Sequence, residues 1–422
     1  METYGKILLI AIPIFLVLVL FEKWWGWKKG FDTVRTLDMI SSLNSGITNV
    51  TKSVLELTII IAIYPFMLEH VALTTIPNQW MVYVAAFIII DFNGYWIHRW
   101  SHHINLFWNL HVIHHSSEEF NLACALRQSI SAFFNLFTIL LLPAALLGIP
   151  PAVIATVAPL HLFAQFWYHT RHIDKMGFLE KILVTPSHHR VHHAINPEYM
   201  DKNLSQIFIV WDKLFGTFAE ERSDVPPVYG ISRPARTWNP IRINFLHLGL
   251  MAADAWRTND WKEKITLWFR RTGYRPADVA TAHPVEKISD VYQFEKYDTP
   301  TNGAFSSWTW FQLIAQLGFI TYLFGNIASL NGLNSSFIYL YGLFIFLSVQ
   351  ALTELMDMRK NAWIWEMVRF GYGVGLLFWQ RDWFGLNARI PYAAYGIGGY
   401  LLLSMLMTIY FSNPAKRGAS TN

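Results

Sequence analysis

Residues 79–115 read QWMVYVAAFIIIDFNGYWIHRWSHHINLFWNLHVIHH. The stretch 79–97 is apolar and close to the about 20 residues that a helix needs to cross a bilayer. It runs directly into His98 and His102, and then into His111, His114 and His115. A membrane span that delivers histidines to its polar end is therefore the feature from which the rest of the chain is read.

The composition agrees with a membrane setting. Of 422 residues, 53% are hydrophobic, 16% aromatic and only 15% charged, against about a quarter charged in soluble domains. The mean hydropathy is +0.27. The apolar residues fall in long runs, at roughly 5–22, 46–68, 79–97, 130–149, 151–170, 307–328, 336–355, 362–379 and 392–411. Such runs are expected to be helical, because lipid offers backbone groups no other partner. The expected fold is all-α: a polytopic helical membrane protein with a C-terminal transmembrane bundle. The runs 130–149 and 151–170 also fit a re-entrant hairpin. The first run lacks a strong basic flank and a small-residue cleavage site, so it reads as a retained helix rather than a signal peptide.

Charge sets the orientation. Lys23, Lys28, Lys29 and Arg35 place the first loop in the cytosol, whereas 69–78 and the Gly148–Pro151 turn carry no Lys or Arg and read as external. Segments 98–129 and 171–306 then face the cytosol; Arg359, Lys360, Lys416 and Arg417 agree, and Arg381 and Arg389 do not. The protein is expected in a bacterial inner membrane or the endoplasmic reticulum, its site facing the cytosol. The net charge of +4 is carried by no Lys/Arg tract, which argues against nucleic acid. Cys124 is the only cysteine, so disulfides within the chain and cysteine zinc motifs are excluded, and a metal must be held by nitrogen or oxygen. The expected division is N-terminal membrane helices (1–78), a catalytic domain (79–245), a cytosolic connection (246–305) and the C-terminal bundle (306–422). Trp308, Trp310, Trp363, Trp365, Trp379 and Trp383 read as interfacial aromatics of that bundle.

Thirteen of the sixteen histidines lie between His98 and His193. His98 and His102 form one cluster; His111, His114 and His115 make an H-x-x-H-H pattern, and His189, His192 and His193 repeat it. Positions i, i+3 and i+4 share a helix face, so each cluster points its imidazoles one way. One such pattern arises by chance with probability about 0.02, and two with roughly 0.001 or less, which disfavours scattered structural histidines. Eight or nine imidazoles exceed the roughly four to six ligands of one ion, so a dimetal site is the economical reading.

His161, Gln165, His169 and His172 would share a face within about 80° on a helix. His169, at the cytosolic end of its span, is the candidate ninth ligand. Candidates for orienting the ligand imidazoles from behind are Asp91, two turns before His98; His103 and His188, beside ligands; and Glu118 and Asn121, after the second cluster. His70, His247 and His283 stand alone and read as ordinary structural histidines.

Imidazole suits zinc and iron alike. Zinc implies hydrolysis, but no H-E-x-x-H occurs. Iron implies oxygen activation, which suits a lipid offering only C–H bonds. Transport would place ligands at membrane depth rather than at its edge. There is no Walker A or G-x-G-x-x-G after a strand, so electrons must come from an external reductant.

Several stretches carry a resemblance. They are Asp91 to His98, His102, His111-Val112-Ile113-His114-His115-Ser116-Ser117-Glu118, and Asn121 through Ala125-Leu126-Arg127-Gln128-Ser129. Gln165 to Thr170, Thr185 to His193, Asp201-Lys202-Asn203 and Trp211 to Phe218 extend it. The pattern resembles the fatty acid hydroxylase and sterol desaturase superfamily, and within it most the alkylglycerol monooxygenase branch. The resemblance implies a diiron enzyme using O2, with His98, His102, His111, His114, His115, His189, His192 and His193 as ligands. It also implies hydroxylation next to the ether oxygen of a glyceryl ether, giving an aldehyde and a glycerol derivative. In the animal pattern an acidic residue follows the second histidine, and here His103 stands there; the donor is tetrahydrobiopterin or another external reductant. A sterol or fatty acyl hydroxylase or desaturase, sharing the ligands, and a zinc-dependent membrane hydrolase are the alternative readings.

Overall fold

Residues 2–57, 63–132, 136–333 and 336–418 are described by a computed structural model, in which they form helices and turns and no strand. Among the described residues four helices are long and apolar enough to cross a membrane: Lys6–Lys29 (within Glu2–Lys29), Gln79–His103, Phe337–Met356 and Ala393–Phe411. The all-α membrane fold is thus as expected, but the count of nine spans is not.

The differences have local causes. The expected span 46–68 is divided between the end of the helix Thr36–Val54, which buries Asp38, Ser42, Asn44, Thr48, Thr51 and Lys52 against protein, and the start of the short helix Ile63–Val71; 58–62 lie outside the described residues. The apolar side of Thr36–Val54 meets the helices Gly303–Gly325 and Phe337–Met356, not lipid. The stretch 130–149, of which 133–135 lie outside the described residues, contains only the short turns Leu136–Leu141 and Leu142–Leu146. The span 151–170 stops at Phe163, after which the chain turns so that Gln165 and His169 can be satisfied. Gly303–Gly325 and Ala362–Gln380 are helical as expected but carry polar groups inward. There, Arg369 pairs with Glu366 (2.5 Å) and donates to Tyr400, and Gln312 donates to Ser404, as polar groups in such bundles must. Trp308 and Trp383, read as interfacial, are core residues; Trp363, Trp365 and Trp379 are exposed.

One large core joins the helix Thr36–Val54 to the C-terminal bundle through Phe305, Leu313, Ile320, Tyr341, Phe344 and Leu352. On this scaffold the polar insert 104–129 is clamped by a buried ion pair: Arg127 Nη2 lies 2.7 Å from Asp38 Oδ1. Burying charge is costly unless every group is satisfied. Here Arg127 also donates to Ser42 and Ser116, and Ser117 donates to Asp38. The clamp fixes the loop that carries His111, His114 and His115.

Candidate metal centre

Local sequence positions each imidazole. His98 and His102 lie one turn apart at the end of Gln79–His103. His111 precedes a single helical turn, Val112–His115. Pro186 starts the helix Pro186–His192, where Thr185 and His188 close a capping box, so that His189, His192 and His193 share one side. His169 projects from the turn after Phe163.

These elements bring nine imidazoles into two nests. His98, His102, His111, His115 and His192 form one; His114, His169, His189 and His193 form the other, and within each the donor atoms lie within 4.8 Å of one another. Nε2 atoms face each other at 2.8 Å (His98–His111), 3.2 Å (His102–His115), 2.9 Å (His169–His189) and 3.0 Å (His189–His193). Ligands at 2.0–2.1 Å from a common ion are separated by about 2.8–3.4 Å at octahedral or tetrahedral angles. Both nests fit an ion.

The protonation states fit as well. Burial, reinforced by neighbouring imidazoles, holds His111, His114, His115, His189, His192 and His193 well below the usual imidazole range; burial lowers His169 to about 4. At neutral pH these rings are uncharged, the form that binds metal. Carbonyl oxygens, which only accept, fix the tautomers. Nδ1–H donates to Leu204 O from His98 (2.7 Å), Gln165 O from His169 (3.0 Å), Lys202 O from His192 (3.1 Å) and Arg127 O from His114 (3.3 Å). Each leaves Nε2 bare and turned inward. His192 Nε2 is buried with no partner, and an ion satisfies such an orphan.

Two of those carbonyls come from an unusual turn. Asp201 (φ 57°) and Asn203 (φ 52°) adopt left-handed backbone, which Asp and Asn tolerate best among residues with a side chain. Asn203 ties the turn to His188 O and Ala219 O, and Asp212 accepts Leu204 N and Ser205 N. Carbonyls 202 and 204 consequently aim at His192 and His98.

A model of the fatty acid hydroxylase family matches residues 83–217, the stretch that supplies all nine histidines. Alkylglycerol monooxygenase from Homo sapiens is 35% identical over 363 residues, 85% of this chain and 80% of the relative. The chain belongs to the alkylglycerol monooxygenase family. The Danio rerio member is 32% identical over 407 residues, 95% of this chain and 87% of its own. Ornithine lipid hydroxylase OlsE from Rhizobium tropici is 31% identical over 149 residues, 34% of this chain and 44% of its own. No solved structure matches the chain.

In this member of the family, the residues expected around the ligands play other parts. Asp91 does not touch His98. It accepts His161 Nε2 (2.7 Å), Ile207 N, Phe208 N and Trp211 Nε1, pinning the 207–211 segment to the membrane helix. His103 Nδ1 bonds back to Arg99 O. Glu118 accepts Tyr297 N, Asn121 donates to Thr33 O, and His188 is spent in the capping box with its ring against Phe218. They hold the walls rather than the imidazoles. His172 pairs with Thr33, away from the nests, and His247 bonds Asn105.

The residue that does face a ligand is Asp201, whose Oδ1 lies 3.4 Å from His102 Nδ1. It sits far along the chain, and its role depends on the turn, so no spacing reveals it. Asp201→Asn keeps a side chain that tolerates the left-handed backbone and removes the charge. It is expected to lower metal affinity by about tenfold to hundredfold, read as metal retained after dialysis against a chelator.

A cavity of about 570 Å³ opens on the nests, walled at its metal end by His98, His111, His114, His169 and His189. It is otherwise largely apolar, with Leu16, Leu43, Ile47, Phe166 and Ile320. Ala11, Phe15 and Phe163 are shared with an outer groove that also includes Ile7, Ile10 and Ile14. Those isoleucines are exposed on the membrane-length first helix, so the cavity's mouth is on a lipid-facing surface. A cleft of this size and lining suits an alkyl chain.

Proposed function

We propose that the protein is a two-iron, O2-dependent monooxygenase that hydroxylates the carbon next to the ether oxygen of an alkylglycerol, its site facing the cytosol. The carbon gains one oxygen atom of O2, two electrons and two protons from outside reduce the other to water, and the hemiacetal separates into a fatty aldehyde and a glycerol derivative. The observation that carries this reading is the apolar cavity running from a lipid-facing mouth to five of the clustered imidazoles. It offers the metals a hydrocarbon chain and no group to hydrolyse, which favours iron over zinc. The relatives named alkylglycerol monooxygenase support the ether as substrate.

In this reading His98, His102, His111, His115 and His192 hold one iron, and His114, His169, His189 and His193 the other. When bound, the pair supplies the oxygen activation that oxidising a C–H bond requires. The chain's own residues bind and orient. The carbonyls at 127, 165, 202 and 204 fix the tautomers and keep the imidazoles aimed, while burial keeps them neutral. Tyr168, its ring tilted against that of His189 at 4.4 Å and its hydroxyl donating to Gln165 Oε1, offers hydroxyl and amide groups to the glycerol end. Leu317 and Ile320 give the C-terminal bundle a part in the cavity wall. Residues 79–245 are the catalytic part and 306–422 the supporting bundle.

The test is an assay of purified, iron-loaded protein with a long-chain alkylglycerol, O2 and a reductant, with metal analysis beside it. Fatty aldehyde formed with iron present is the expected result. A hydroxylated acyl chain or sterol without aldehyde would move the substrate to the sibling class. Tightly held zinc after growth in iron excess, with no O2 consumption, would overturn the oxygenase.

A further inference from the structure

Trp256, Trp261, Ile265 and Phe269 are 86%, 76%, 65% and 67% exposed. Four large apolar side chains so open, and so close along the chain, mark a surface that meets something other than water. Their placement is regular. Positions 261, 265 and 269 are four apart, so the helix Trp261–Thr266 and the turn Leu267–Phe269 that prolongs it carry one apolar side outward. Leu267, on the other side, is buried. Trp256 lies in the last turn of the preceding helix, Pro240–Arg257, and Lys264 ties the two helices by donating to Ala255 O and Trp256 O at 3.0 and 3.1 Å.

The depth of this patch is set by the membrane-length helix beside it. Asn105 N donates to Arg270 O (2.9 Å), Thr272 N to His103 O (3.1 Å) and Asn105 Nδ2 to Leu267 O (3.1 Å). These bonds staple the turn to the end of Gln79–His103. That helix has 25 residues, about 38 Å at 1.5 Å per residue, against a hydrocarbon core of about 30 Å. Its last turn, with His102 and His103, therefore stands at headgroup level, and the turn carrying Phe269 stands with it. The neighbouring surface is apolar too. Phe107, on the short helix packed against that turn, has its ring 4.9 Å from that of Phe137, in the apolar stretch Phe137–Leu146 where Ile139 and Leu142 are exposed.

The charges around the patch are one-sided. Residues 256–270 hold four cations, Arg257, Lys262, Lys264 and Arg270, and two carboxylates. Both carboxylates are engaged: Asp260 caps the helix at Lys262 N, and Glu263 accepts from Tyr274 and pairs with Arg270 at 3.6 Å. Arg257 and Lys262 are exposed beside the indoles.

We propose that residues 256–270 are a membrane anchor laid on the surface of an anionic leaflet. Trp256, Trp261, Ile265 and Phe269 sit among the headgroups and first methylenes, and Arg257 and Lys262 meet the headgroups of anionic lipids. Indoles favour that depth, where the ring leaves water and the N–H still finds a partner. A basic segment with one apolar side lies in the plane of such an interface. A second copy of the chain fits the patch less well, because a symmetric contact sets the two positive rims against each other. Nothing in this placement depends on which reaction the metals catalyse.

The experiment uses the full-length protein in nanodiscs of phosphatidylcholine, with and without phosphatidylglycerol. Cys124, the only cysteine, is buried, so Ile265→Cys can carry a single environment-sensitive fluorophore. Its emission is expected to be quenched by lipids bearing a nitroxide near the headgroup and to be shielded severalfold from aqueous iodide. Mass spectrometry of the lipids that stay on the protein in detergent reads the charges. Phosphatidylglycerol is expected to be enriched over phosphatidylcholine, and Arg257→Gln with Lys262→Gln to reduce that enrichment by about fivefold per charge removed. Both positions are exposed, so these variants should unfold in detergent at the wild-type temperature. A probe open to iodide and untouched by the lipid nitroxide would overturn the anchor. A probe shielded from both, on a protein that elutes as a dimer, would give the patch to a second copy and overturn it as well. Enrichment that survives the loss of both charges would overturn the contact of Arg257 and Lys262 with anionic lipid.

Discussion

Replacing His189 by alanine is expected to lower the metal content from about two ions per chain to about one and to bring turnover to the assay floor. The nest of His114, His169, His189 and His193 has four imidazoles and no spare. His189 is its hub: its Nε2 lies 2.9 Å from that of His169 and 3.0 Å from that of His193. Its removal leaves three donors and a void in a buried wall, so the ion there is held more weakly and is lost first on dilution or chelation. Chemistry that needs both ions then stops, because an interaction shared by two metals is lost as a unit. The neighbouring nest gives the contrast. His102→Ala leaves His98, His111, His115 and His192, still a full tetrahedral set, so most of the metal should stay and only part of the activity should go. The check is metal analysis of both variants beside wild type, with folding verified by thermal unfolding in detergent. Equal loss from the two variants, or two ions retained after His189→Ala, would break the assignment of ligands to nests.

How far the sequence leads depends on the range of the forces concerned. The three histidine clusters are legible because i, i+3 and i+4 spacing is local: the helix end at His98–His102 and the turns at Val112–His115 and Pro186–His192 form where the spacing places them. His169 is brought to the nests for a reason other than the one its spacing gives. The shared helical face with His161 and His172 does not exist, since the helix ends at Phe163 and His161 turns to Asp91. The carbonyls of Lys202 and Leu204 are invisible to periodicity, because a left-handed turn a hundred residues from His98 aims them. Hydropathy overcounts the spans for a related reason. It records that a stretch avoids water, and the helix Thr36–Val54 does so inside protein, with Asp38 paired to Arg127. Charge pairing across such distances leaves no mark in a window of neighbouring residues.

The mouth of the apolar cavity yields the other large effect. Ala11 faces both the cavity and the outer groove, beside Phe15, whose ring lies 5.6 Å from Phe163 and 4.5 Å from Phe166. This is where the cavity meets the outer groove, and of the three residues the two share Ala11 has the smallest side chain. Tryptophan there must push into the aromatic cluster or lie across the opening. Forcing bulk into a packed apolar wall costs about 1–3 kcal/mol, and a chain that must displace the indole meets that cost as it enters. That corresponds to a fall in kcat/KM of roughly tenfold to hundredfold for long-chain alkylglycerols. The loss should shrink for short chains, which bury less length in the opening. Metal content should not change, since no residue of the nests touches this part of the cavity, and that separates a blocked entrance from a damaged centre. The measurement is kcat/KM across a series of alkyl chain lengths for wild type and Ala11→Trp at equal metal loading. A uniform loss at every length would instead place the obstruction at the metals, and no loss at all would mean that lipid reaches them by a route other than the gap between the first helix and Phe163.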